Sequence, residues 1–222
     1  MGELTHACRA SYRAFLEDVD RYRLRPRPRW AVILLCQGLW AIAVYRFFYP
    51  FVRARSSAVR RAAHLLSVLA VKFIQVVSGI SLPPECEVGP GFYIGHFGTT
   101  LINPRVRIGR CCNIANGVII GSGGRGEIHG KDREGVPEIG DRVFIGPGAV
   151  VFGPIRIGND ASIGANSVVH RSVPDRAVVS GVPARIVGSH GSFLYVSYRG
   201  MEDDPDRLQS LRERDAARRQ AR

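Results

Sequence analysis

The chain has 222 residues, a formal net charge of +12, 45% apolar residues and 25 glycines. That apolar content excludes global disorder, and the length allows one substantial domain with a smaller companion. Five cysteines, an odd number without a C-x-x-C pair, and a start that does not read as a secretory signal fit a reducing, cytoplasmic setting best.

The charge is concentrated near the start: residues 1–80 hold thirteen Lys and Arg against four acids. Residues 1–29 read as a short helical start, with Ala14, Phe15 and Val19 among acids, then a connector in which Pro26 and Pro28 stop any helix. Arg21, Arg23, Arg25, Arg27 and Arg29 form the densest cationic run. No RNP-like aromatic strand, zinc-finger spacing or helix-turn-helix pattern accompanies it, which argues against nucleic acid. Attraction to an anionic membrane surface and a plain solvated segment both remain.

Two apolar stretches follow, Trp30 to Tyr45 and Ala62 to Val77, each near 16 residues. A membrane-spanning helix needs about 20. A pair of spans, an interfacial hairpin flanked by Arg53, Arg55, Arg60 and Arg61, and a helical pair buried in a subunit interface are all left open.

From Ile80 apolar residues recur every six positions. Val88 and Ile94 begin the series; Ile102, Ile108, Ile114 and Ile120 continue it; Ile139, Ile145, Val151, Ile157, Ile163 and Val169 complete it. Eight of the twelve following residues are Gly. Neither a helix nor an ordinary strand has this period, whereas a coil with three short strands per circuit does. The expected fold is therefore a parallel β-helix over 80–188, preceded by a helical, basic and apolar region over 1–79 and followed by a tail over 189–222. Cys111 and Cys112 fall inside the repeat and read as packing residues. In the tail, Phe193 to Val196 suits a strand and Arg207 to Arg222 a frayed charged helix.

The ladder is interrupted twice. Two residues are added between Ile94 and Ile102, around Gly95-His96-Phe97-Gly98, and Gly121 to Pro137 is too polar and Gly-rich to be a coil, so it reads as an extruded loop. Loops leaving a rigid scaffold are common places for a site.

The hexads, the Gly95-His96-Phe97-Gly98 segment, the extruded loop and the closing Ser180-Gly-Val-Pro-Ala-Arg-Ile-Val187 resemble the left-handed β-helix acyltransferases. The branch is that of serine acetyltransferases and their relatives in polysaccharide gene clusters, and the likeness covers about half the chain. Left-handedness is implied by the family alone, since the general crossover preference is right-handed. The resemblance implies a homotrimer with sites between neighbouring subunits and acetyl-CoA along the groove, no metal, and His96 as general base toward an acceptor hydroxyl. It places CoA against Gly121, Ser122, Gly146, Pro147, Gly148, Gly164 and Ala165, with Arg185 near a phosphate.

Three positions depart from the serine enzyme. Ser81 stands where the family has the Asp paired with its catalytic His, Gly95 where an Asp precedes that His, and Val136 where a second His precedes the loop's closing proline. An amino-acid acceptor's ammonium needs a charge partner, so a saccharide hydroxyl is the expected acceptor, with Ser81, Gly95 and His129 about it. Arg125, Lys131 and Arg133 make the loop basic. Serine O-acetylation is the first alternative and a non-catalytic scaffold the second. The expected location is the cytoplasm, peripheral at the inner face of the membrane.

Overall fold

The computed structural model describes residues 2–23, 32, 34–124, 127–128, 131–132 and 134–220. Three sheets, parallel except for the last strand of the third, wind around one axis. The first contains β1 (Ile80–Ser81), β4 (Thr100–Ile102), β7 (Ile119–Gly121), β12 (Val150–Phe152) and β15 (Val168–Val169). The second contains β2 (Glu87–Val88), β5 (Arg107–Ile108), β10 (Glu138–Ile139) and β13 (Arg156–Ile157). The third contains β3 (Tyr93–Ile94), β6 (Asn113–Ile114), β11 (Phe144–Ile145), β14 (Ser162–Ile163), β16 (Val178–Gly181) and β17 (Ala184–Gly188).

The six-residue ladder is the interior. Ile94 pairs with Ile114, Ile114 with Ile145 and Ile145 with Ile163, each nearly or wholly buried. A second interior position, two residues before each ladder residue, was not read from the sequence: Cys86, Phe92, Val106, Cys112, Val118, Val143, Ala149 and Ala161 are buried there. The variety of side chains hides its period. Cys112 thus packs as expected, and burial pushes the Cys86 and Cys112 thiols up to about 12.

Six of the eight glycines after the ladder, all but Gly95 and Gly121, serve stacking rather than an unusual φ. A Cβ on Gly109 would meet the Gly140 carbonyl carbon at 2.6 Å, and one on Gly146 the Ala165 nitrogen at 2.8 Å. The left-handed bends lie three residues before the ladder residue, where Cys111, Arg142, Asp160 and Asn166 share the conformation with Gly117 and Gly148. Between Ile120 and Ile139 the chain leaves the coil as expected, and the extrusion carries an antiparallel pair, β8 (Glu127–Ile128) with β9 (Lys131–Asp132). Its neck is closed by Gly123 N–H donating to the Gly135 carbonyl at 3.1 Å.

The helices α1 (Gly2–Arg23), α2 (Gln37–Val52) and α3 (Ser57–Ser78) lie at the first coil. The first is longer than the short start expected, and its polar groups finish the open edge of the β-helix. Backbone groups of the first coil that have no preceding coil to bond are met by side chains. Phe92 N–H donates to Asp18 at 2.7 Å and Ile94 N–H to the Tyr22 hydroxyl at 3.1 Å, while that hydroxyl donates to the Ile94 carbonyl at 2.9 Å. Val88 N–H donates to the Tyr45 hydroxyl at 2.9 Å, and Arg46 donates to the Val88 and Gly89 carbonyls. Arg46 also pairs with Asp18 at 2.8 Å, both buried, and burial holds the Asp18 carboxyl above its usual value despite the pair.

Arg21 requires a correction. It is buried, not a surface charge, and donates to the Gly91 carbonyl at 2.7 Å and to Asn113 Oδ1. Arg25, Arg27 and Arg29 lie outside the described residues.

The tail corrects another expectation. Phe193 and Val196 are buried in a turn rather than a strand; Tyr195 stacks on Phe144 with ring centroids 4.4 Å apart, and Asn113 donates to the Tyr195 carbonyl. A helix, α4 (Pro205–Gln220), follows and is tied to the coil through Arg176 and Ser210.

Candidate active site

The extra residues of the first circuit create a bend after β3. Ile94 pairs with Ile114, a step of twenty, where later circuits such as Ile145 to Ile163 take eighteen. The bend is held on both sides. Gly95 N–H donates to the Ile114 carbonyl at 3.0 Å, and Gly98 N–H donates to the Ser78 carbonyl, the last residue of α3, at 2.8 Å. Gly98 takes a φ of +125°, which a side chain rarely allows. Between these anchors His96 and Phe97 are exposed. An imidazole facing solvent from a fixed backbone can exchange a proton with a bound hydroxyl, and the aromatic ring beside it offers an apolar wall. Phe97 joins His96 as a residue of the bend; its signal in the sequence is a large aromatic between glycines.

Below His96 runs a column of equivalent corners. Each follows a ladder residue of the third sheet and donates its N–H to the next coil: Ala115 to the Ile145 carbonyl, Gly146 to that of Ile163 and Gly164 to that of Val179. At about 4.8 Å per coil, Gly146, Pro147 and Gly148 lie roughly 10 Å below His96 along the axis, and Gly164 with Ala165 about 14 Å below it. Small residues leave the column open to an elongated ligand. The structure therefore brings together His96, Gly146, Pro147, Gly148, Gly164 and Ala165 on one edge.

Gly121 and Ser122 are elsewhere. Gly121 ends β7 and Ser122 follows it, across the width of the first sheet at the neck of the extruded loop, where Gly121 pairs with Phe152. Arg185 is exposed on β17, which reverses direction against β16, and its guanidinium donates to the Ala184 carbonyl. Ser81 is half-buried on β1, paired with Leu101, and Val136 packs against the core. His129 lies outside the described residues.

Residues 137–171 match the model of the bacterial transferase hexapeptide (six repeats). A serine acetyltransferase of Mycobacterium tuberculosis (strain ATCC 25618 / H37Rv) is 40% identical over 129 residues, 58% of this chain and 54% of that protein. One from Helicobacter pylori (strain J99 / ATCC 700824) is 34% identical over 172 residues, covering 78% of this chain and 94% of its own length. The chain thus spans about half of the first relative and nearly all of the second. A solved serine acetyltransferase in complex with CoA superposes with a TM-score of 0.67 at 28% identity, over 84% of this chain and 73% of that one.

These relatives correct the expected acceptor and the expected closeness to polysaccharide-cluster enzymes: the matching proteins are serine acetyltransferases. Ser81, Gly95 and Val136 stand in place of three polar groups of the family, but a charge partner for an amino-acid acceptor can also come from another part of the chain or from another subunit. The fold is the left-handed parallel β-helix of these transferases, and the chain belongs to the serine acetyltransferase family.

Proposed function

We propose that this protein is an acetyl-CoA-dependent serine O-acetyltransferase with His96 as its general base. The observation that carries the reading is the single edge on which an exposed His96 heads a column of small corner residues. Acetyl-CoA would lie along Gly146, Pro147, Gly148, Gly164 and Ala165 with its thioester toward His96. The imidazole takes the proton of the serine hydroxyl as that oxygen bonds to the thioester carbonyl carbon. Collapse of the tetrahedral species breaks the C–S bond, and the same imidazole returns the proton to the leaving sulfur.

The protein is proposed to act in the cytoplasm as a homotrimer. His96 and the Gly121–Ser122 loop neck occupy neighbouring edges of one chain. A second copy that lays its loop-bearing edge against the His96 edge puts both groups beside one cofactor. Release of CoA on mixing the protein with acetyl-CoA and L-serine tests the activity; a rate no higher than without serine would sink it. Light scattering tests the trimer, and a monomer with full activity would remove it.

A further inference from the structure

α3 is amphipathic in the wrong sense for a helix of a self-contained domain. The face it turns to the body is small and partly polar, consisting of Ala63, Ser67, Ile74 and Ser78. Its large apolar residues point away: Leu65, Leu66, Leu69, Phe73, Val76 and Val77 form a stripe at helical spacing, with Phe73 67% and Val76 86% exposed. No described residue covers this stripe, which runs most of a helix about 33 Å long. On the adjoining α2, Phe47 is exposed as well.

The edge of the stripe identifies what it meets. Arg61, His64, Lys72 and Gln75 line it, and α3 contains no acid. Arg60 and Arg61 donate to the Ala54 and Ser57 carbonyls and Lys72 to Gln75 Oε1, all neutral oxygens. Acids face only His64, through Glu85, and Arg55, through Glu3, among the described pairs of this region. In a two-fold pairing the same patch faces itself, so an antiparallel second copy would set the Arg61–Lys72 edge against its own copy. The three-fold contact proposed above joins the His96 and loop-bearing edges, not this stripe. An acidic bilayer offers both an apolar interior and complementary charge.

α3 is the one described helix long and apolar enough to cross a membrane, but its placement makes crossing the wrong geometry. Its buried side rests on the body and its last carbonyl is bonded to Gly98. We propose that α3 docks flat on the surface of an anionic lipid bilayer, its apolar stripe sunk among acyl chains and its cationic edge at the headgroups.

Flotation of the full-length protein with vesicles tests this. Wild type is expected to rise with phosphatidylcholine vesicles containing phosphatidylglycerol and much less with phosphatidylcholine alone. The double change Leu69→Ser, Phe73→Ser lowers binding by at least about a hundredfold, and Arg61→Gln, Lys72→Gln by about twentyfold. None of these residues touches the His96 edge, so CoA release in solution stays at the wild-type rate and reports on the fold. The proposal is overturned if wild type stays in the soluble fraction or binds both vesicle types equally. It is also overturned if the apolar double leaves flotation intact while lowering the mass in light scattering, which assigns the stripe to a second copy.

Discussion

The β-helix and the helical layer use apolar residues in opposite directions. In the coil every ladder residue points inward and is buried on its counterpart, so the surface is left to corners, charges and the site. In the layer, α1 and α2 bury side chains against the first coil, whereas α3 turns its large residues outward. The coil is thus complete within one chain and the layer is not. A single apolar composition produces both, which shows that the direction of burial, and not its amount, separates a scaffold from a docking surface.

His96→Ala breaks the comparison at its catalytic end. The expected loss of CoA release is about 10²- to 10⁴-fold, with an unchanged thermal transition because the side chain is exposed. Arg46→Ala tests the junction between the two regions. It leaves Asp18 buried without its partner and should cost about 3–5 kcal/mol, read as a lower midpoint in denaturant. Ile145→Ala against Leu69→Ala compares the two kinds of apolar residue directly. About 2–5 kcal/mol is expected for the first and within about 0.5 kcal/mol for the second; equal costs would show that α3 is covered. Gly109→Ala should cost about 1–3 kcal/mol, since the methyl must displace the backbone of the next coil. The smallest effect is chemical. At pH 8 a thiol of pKa about 12 is ionised only to about one part in 10⁴, so Cys86 and Cys112 should react with a thiol reagent only after unfolding, later than half-exposed Cys8, Cys36 and Cys111.

The coil was legible because its period is strict and its side chains are uniform. Ile102 through Ile120 and Ile139 through Val169 state the register almost residue by residue. His96 was legible for the complementary reason, as an interruption. What stayed hidden depends on pairs far apart in the chain. Asp18 with Phe92, Tyr22 with Ile94 and Arg46 with Val88 lie more than 40 residues apart and carry no period. Arg21 looked like one more cation in a run because nothing local distinguishes a buried guanidinium from a solvated one. The acceptor was misread for a similar reason: Ser81, Gly95 and Val136 describe single positions, while charge compensation is a property of a whole site.

The side chains that finish the first coil also forbid growth. A stack of parallel strands is an open template at each end, ready to accept another strand or another copy. Here the upper rim is occupied by groups that bond like a strand but cannot be extended as one: a carboxylate, two phenols and guanidinium groups. At the lower rim β17 runs against the direction of its sheet, so the third sheet offers no parallel continuation. Both ends of the third sheet are therefore closed to a further parallel strand, and loss of Asp18, Tyr22 or Arg46 would leave backbone groups of the upper rim unpaired.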